Sequence, residues 1–311
     1  MSALSLYTSC TQTKSVSPEK ILCAGALKGD SVFERHAVWR DRIDGWNGKR
    51  RTARDLYRGG HWSVVREIAE SRRDLRCSVI SAGYGLIPMD AKLAPYAATF
   101  AFGKEDSITR ATGALALKEN IEWWNRLCAW KPIGIDGARS LKASVSASPR
   151  EIHLFALSPF YLDAIFEDLL CAREQLPDPS RLIVISGAKR RYGELNRSVV
   201  HAPAALQTVL GGGLVSLNVR VAAEVIKRIP MRDLTPDEVR TFVTKLASTA
   251  KVRVYPKRDA ASDDEVLYFL EKAIKRQEKP SYTNLLRSFR NSGRACEIKR
   301  FKQLFQRIIS A

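Results

Sequence analysis

The sequence predicts an α/β protein: a doubly wound, mostly parallel sheet followed by a small C-terminal helical, winged-helix-like domain. Three observations carry this. Apolar, β-rich runs alternate with amphipathic helical stretches up to about residue 230, the pattern of strand–helix–strand crossovers. Those runs are apolar almost without interruption, as strands covered on both faces are. Beyond them the pattern turns to short helices and positive charge accumulates, with 17 Lys/Arg against 7 Asp/Glu in residues 240–311.

The elements follow in order. LSLYTS (4–9) is the first strand. A helical pattern covers 53–74, and RCSVISA (76–82) is the second strand. A helix at 111–130 precedes a loop-rich stretch, 131–150. Strand IHLFALS (152–158), helix 161–175, strand RLIVISG (181–187) and helix 217–229 complete a first domain, residues 1–232. At Arg232–Glu238 the chain breaks, with Pro236 suited to a first helical position and Thr235 or Asp237 to its cap. The second domain, residues 233–311, reads as helix 236–249, a short strand VRVYP (252–256), and helices within 263–277, 279–293 and 296–308.

Composition narrows the classes. Hydrophobic content of 45% with 27% charged residues over 311 positions suits a globular chain with a sizeable core. No apolar run approaches the ~20 residues that span a bilayer, and the start lacks the pattern of a secretory signal, so a cytoplasmic protein is expected. The six cysteines form no C-x-x-C pair and the four histidines are dispersed, so neither a metal nor a cofactor is expected. No cluster of carboxylates has metal-binding spacing, which argues against a metal-dependent nuclease. Net charge +18 points to a polyanion, nucleic acid above all.

Ligands of open α/β sheets bind beyond the carboxyl ends of the strands. Here all four strands end in small or polar residues: Ser9-Cys10-Thr11 through Lys14, Ser81-Ala82-Gly83-Tyr84, Ser158-Pro159 and Ser186-Gly187. These ends are expected to form one cavity. Each has a plainer use as well. Cys10 has no adjacent base and reads first as a small buried hydrophobe; Tyr84 and Tyr96 serve packing as readily as stacking. Asp90, in the loop closing VISAGYGLIPMD, is the first choice for a catalytic acid, because such groups concentrate on loops.

The residues SCTQTK (9–14), TARDLY (52–57), VISAGYGLIPMD (79–90), APY (94–96) and LGGGLVSLNVRVA (210–222) resemble a family of bacterial α/β proteins. Its sheet is similar to that of uracil-DNA glycosylases and of the base-modifying domain of archaeosine synthase. Anti-phage glycosylases that remove glucosylated hydroxymethylcytosine combine similar size and charge. The uracil enzymes' Gly-Gln-Asp-Pro-Tyr and His-Pro-Ser motifs are absent, which argues against uracil as the substrate.

The resemblance implies a DNA glycosylase that flips a modified base and hydrolyses its N-glycosidic bond in antiviral defence. Asp90 then serves as general base or charge stabiliser, with Lys14 neutralising the leaving group or a phosphate. Ser9, Cys10, Ser81, Ser158 and Ser186 contact the base, and Tyr84 and Tyr96 stack on it. Lys189, Arg190 and Arg191, with Arg287, Arg290, Arg294, Lys299 and Arg300 of the second domain, grip phosphates. The expected partner is double-stranded DNA with modified bases, RNA being possible and a membrane not; no oligomeric state follows. A base-modifying enzyme acting on RNA or 7-deazaguanine nucleotides, or a non-catalytic nucleic-acid sensor, are the alternatives.

Overall fold

A computed structural model describes residues 3–72, 74–251, 257–275 and 280–309. The chain divides into two units, Met1–Lys251 and Val252–Ala311. The first is built on six strands: β1 (Leu4–Ser9), β2 (Leu75–Ser81), β3 (Gly85–Pro88), β4 (Ile152–Leu157), β5 (Leu182–Ser186) and β6 (Val199–His201). Their order across the sheet is β3-β2-β1-β4-β5-β6. All neighbours are parallel except β3, which turns back along β2. Every residue of β1, β4 and β5 is buried, because helices cover both faces and leave no polar side to the pleat.

One layer holds α1 (Val32–Asp44), α3 (Gly113–Ala129), α4 (Leu141–Ser146) and α5 (Pro159–Glu174); the other holds α2 (Gly60–Ser71), α6 (Leu217–Arg228) and α7 (Pro236–Ser248). The caps explain several starts. Ser31 and Glu34 form a capping box on α1, and Thr235 accepts the Glu238 N–H ahead of Pro236 at the first position of α7.

The structure departs from the sequence reading in four places. The single helix expected over 53–74 is broken: a turn at Ala53–Leu56, extended Tyr57, then α2. Gly59 has φ 93°, which only glycine adopts readily, and the Arg58 N–H is committed to the Thr13 carbonyl. Strands β3 and β6 were not foreseen. The loop-rich stretch 131–150 contains α4 and is tied to the core by Arg139. Finally, the first unit extends to Lys251, past the expected boundary at 232, because Val239 and Val243 of α7 are buried in its core beside β6.

The second unit packs α8 (Asp263–Ile274), α9 (Tyr282–Asn291) and α10 (Ile298–Ile309) around Val266, Leu270, Leu286, Phe289, Phe301 and Leu304. A two-residue parallel ladder joins Asp259–Ala260 to Arg294–Ala295. The strand expected at 252–256 lies outside the described residues.

Candidate functional site

The register sets the carboxyl ends of the parallel strands level, with Ser9 beside Ile80, Thr8 beside Ala156 and Leu157 beside Ser186. Strand order reverses at β1, so the crevice outside β1 and β4 is the place for a ligand in a sheet of this kind. Three segments meet there: residues 10–14 after β1, the loop 99–108, and the start of α5 after β4.

The floor of the crevice is made of hydroxyls and one thiol. Cys10 Sγ lies 3.0 Å from Tyr161 Oη. Tyr96 Oη lies 2.6 Å from Ser81 Oγ and 2.7 Å from Tyr57 Oη. Ser81 Oγ already accepts the N–H groups of Gly83 and Tyr84, which leaves its own proton for the Tyr96 oxygen. Burial drives the Tyr57, Tyr96 and Tyr161 hydroxyls well above their ordinary pKa, so all three remain neutral donors. A Cβ at Gly83 would lie 2.4 Å from the Tyr96 ring; glycine there is what lets the ring sit down on the turn after β2. The cavity expected at this level is therefore filled by the protein's own tyrosines.

Lys14 stands over that floor. Its backbone is anchored on both sides, the Ser15 N–H donating to the Leu56 carbonyl and the Arg58 N–H to the Thr13 carbonyl. The ammonium donates to the Thr11 carbonyl at 2.9 Å and lies 4.4 Å from the Tyr96 ring centre. Among the described residues no carboxylate forms an ion pair with it. Burial lowers its pKa, while Cys10, Asp106 and Cys23 act in the opposite direction. The carboxyl of Asp106 is shifted upward, first by burial and then by Glu105, against the Gly25 N–H and Lys14.

Asp106 belongs to a closed loop. The Thr99 N–H donates to the Asp106 carbonyl at 2.9 Å and the Ile108 N–H to the Thr99 carbonyl at 3.1 Å. A Cβ at Gly25 would lie 2.4 Å from the Glu105 carbonyl oxygen, so the loop after β1 can approach only with glycine there. The same loop carries Phe102, which meets Phe160 of α5 edge to face at 5.0 Å. Phe102 is 39% exposed and Phe160 half-buried. Lys14 and Asp106, whose charges act on each other, and the Phe102–Phe160 ring pair thus gather near the ends of β1 and β4, with the Asp106 carboxyl shifted upward by burial.

This assembly differs from the sequence-predicted one. Lys14, Ser9, Cys10 and Ser158 are at the crevice, and Tyr96 is beneath it as packing. Asp90 is not there. β3 runs away from the rim, pairing Pro88 with Ser78, which is three residues and about 10 Å below Ser81. Asp90 follows in the exposed turn closed by the Ala91 N–H on the Pro88 carbonyl. Tyr84 does not stack on a ligand: it is fully buried against Tyr96 and Trp130, its hydroxyl accepting the Ala94 N–H. Ser81 and Ser186 are also fully buried, Ser186 Oγ accepting the Ala188 N–H. Asp106, Phe102 and Phe160 were missed; their signal was the pairing of FAFGKED after Pro-Tyr with SPFY after β4.

Another neighbour is His61, buried, with Nε2 2.7 Å from Thr8 Oγ1. Burial depresses its pKa to about 4, against the backbone of Val215 and Ser9. That contact places the turn Gly211–Val215 beside β1, with Leu214 49% and Val215 84% exposed. Clefts of about 450 and 460 Å³ lie on the flanks, one between α2 and α6 and one between α3 and α5.

The predicted phosphate-binding cations divide into two groups. Lys189 and Arg191 are exposed with no partner among the described residues. Arg190 instead pairs with Asp163 at 3.6 Å and lies over Phe166 and Tyr192. In the second unit Arg290 donates to the Cys296 carbonyl, Arg294 pairs with Glu265, and Arg300 bonds Asp263 at 2.6 Å. These three hold the fold and are corrected from the predicted contact set; Arg287 and Lys299 remain exposed and without a partner among the described residues.

Among the described residues no group of His, Cys, Asp and Glu is arranged for a metal ion, and no single helix is long and apolar enough to cross a membrane. Comparison with protein-family models, curated proteins and solved structures finds no match.

Proposed function

We propose that the protein is an N-glycosidase acting on a modified base in DNA, with a uracil-DNA-glycosylase-like first unit and a winged-helix-like second unit that holds the polymer. The observation that carries this is the grouping of Lys14, Asp106, Phe102 and Phe160 at the point where strand order reverses. Breaking an N-glycosidic bond builds oxocarbenium character on the sugar, which a carboxylate stabilises or relieves by activating water. Asp106 takes that role in place of Asp90. Lys14 neutralises charge developing on the departing base, Phe102 and Phe160 line it, and the Cys10–Tyr161 pair offers hydrogen bonds from below.

The base must leave the duplex, at a cost of a few kcal/mol. Leu214 and Val215, beside β1 on a glycine-rich turn, have the exposure of apolar wedges that part base steps. Phage DNA carrying glucosylated hydroxymethylcytosine is the first substrate to test, which would make the role antiviral defence.

The test is incubation with a panel of modified DNAs, mass spectrometry of released bases and an assay for abasic sites. Asp106→Asn is expected to slow release at least 100-fold, the range for a positioned acid–base group, while Asp90→Asn leaves it unchanged. Retained release in Asp106→Asn removes the assignment. No release from any member by the unaltered protein removes the N-glycosidase reading and leaves a non-catalytic sensor.

A further inference from the structure

The second unit separates its charges. Three of the four acidic residues of α8 sit in its first turn, where Asp263 and Glu265 engage Arg300 and Arg294; Glu271 lies near its end. Those arginines are consumed within the unit. Exposed cations without a hydrogen-bond or ion-pair partner among the described residues include Arg287 on α9 and, as a group of three on one helix, Lys299, Lys302 and Arg307 on α10.

α10 has two unlike faces. Phe301, Leu304 and Phe305 are buried in the unit's core and fix the helix. Opposite them Lys299, Lys302, Gln303, Gln306 and Arg307 are all exposed, and none has a hydrogen-bond or ion-pair partner among the described residues. Lys302 alone has a contact, its ammonium 5.6 Å from the Tyr282 ring centre. At 3.6 residues per turn, Lys302 and Arg307 stand about 140° apart around the axis, with Gln306, Lys299 and Gln303 between them in that order. Cations thus flank a strip bearing two amides and a lysine.

We propose that α10 enters the major groove of duplex DNA, with Lys302 and Arg307 on the phosphate backbones at either side and Gln303, Gln306 and Lys299 at the base edges. The groove is about 12 Å wide and admits one helix. An amide can bond adenine in two places there, and a lysine reaches guanine acceptors. The inference rests on DNA as the polymer, and is independent of the N-glycosidase chemistry.

The test uses the full chain and a fixed duplex, with affinity measured by anisotropy across a salt series. Lys302→Gln/Arg307→Gln is expected to make the slope of log affinity against log salt shallower by about 1.8, two phosphate contacts at about 0.9 each. Lys272→Gln on α8 leaves that slope unchanged. Gln303→Ala/Gln306→Ala keeps the slope but lowers discrimination among randomised duplexes about tenfold or more. Unaltered thermal unfolding is expected for all of them, since these side chains are exposed.

An unchanged slope in the double cation variant overturns the proposal. So does an equal loss of affinity for duplex RNA, whose narrow major groove admits no helix. Asp106→Asn is expected to bind like the unaltered chain, so failure of binding and failure of base release are read apart.

Discussion

Arg139 shows how much one side chain can hold. It is 8% exposed, and its guanidinium donates to the carbonyls of Trp130 at 3.0 Å, Leu86 at 2.6 Å, and Tyr84. Among the described residues no carboxylate pairs with it, and its hydrogen bonds all go to backbone carbonyls. Arg139→Met would leave those carbonyls without a donor, at about 1–3 kcal/mol each, so a loss of at least about 3 kcal/mol is expected. Lysine should not rescue it, because a point charge cannot reproduce the planar fork. Urea unfolding followed by tryptophan fluorescence measures this, and a loss below about 1 kcal/mol would count against the staple. The sequence places Arg139 in the loop-rich stretch 131–150 and leaves open whether it closes over the site, since burial of a charge by carbonyls leaves no pattern. Lys14 was legible because it follows a strand end directly. Asp90 misled because a short antiparallel return carried it away from the rim.

At the scale of elements, the long periodic segments were readable and the short ones were not. β1, β4 and β5 announce themselves by continuous apolar runs, and α3 and α5 by apolar spacing. β3, four residues ending in Pro88, and β6, three residues, are too short to show a period. The break before α2 was written in Gly59-Gly60, yet apolar spacing on both sides concealed it. The crevice was half legible: strand ends can be located by pattern, but the loop 99–108 that brings Asp106 and Phe102 to them is placed by tertiary contacts alone. The turn Gly211–Val215 is an element whose role can be measured separately. Replacing Leu214 and Val215 together by serine is expected to lower base release from duplex DNA about 10- to 100-fold, the equivalent of the few kcal/mol that a wedge offsets. Release from the same single strand should be unchanged. An equal loss on both substrates would refute the wedge.

For the molecule as a whole, buried histidines set the pH range of stability. His36, His61 and His153 are nearly or fully buried in the first unit, and burial depresses each to about 4, with nearby arginines adding to the effect at His36. In the unfolded chain they titrate near 6.5. The folded values lie below the unfolded ones, so between the two the unfolded chain binds more protons. The stability these residues confer is complete above pH 6.5 and is lost as pH falls towards 4. From pH 7.5 to 5 the loss is about 2 kcal/mol for each histidine. The first unit can be followed by itself, because all six tryptophans, positions 39 to 130, belong to it. With a slope of about 3 kcal/mol per molar, its urea midpoint by tryptophan fluorescence should drop by about 1–2 M over that range. Carboxylates held below their usual range act later, near pH 4, so a fall confined to that lower region would point to them instead. A midpoint at pH 5 equal to that at pH 7.5 would mean that the three imidazoles accept protons in the folded state, against their burial.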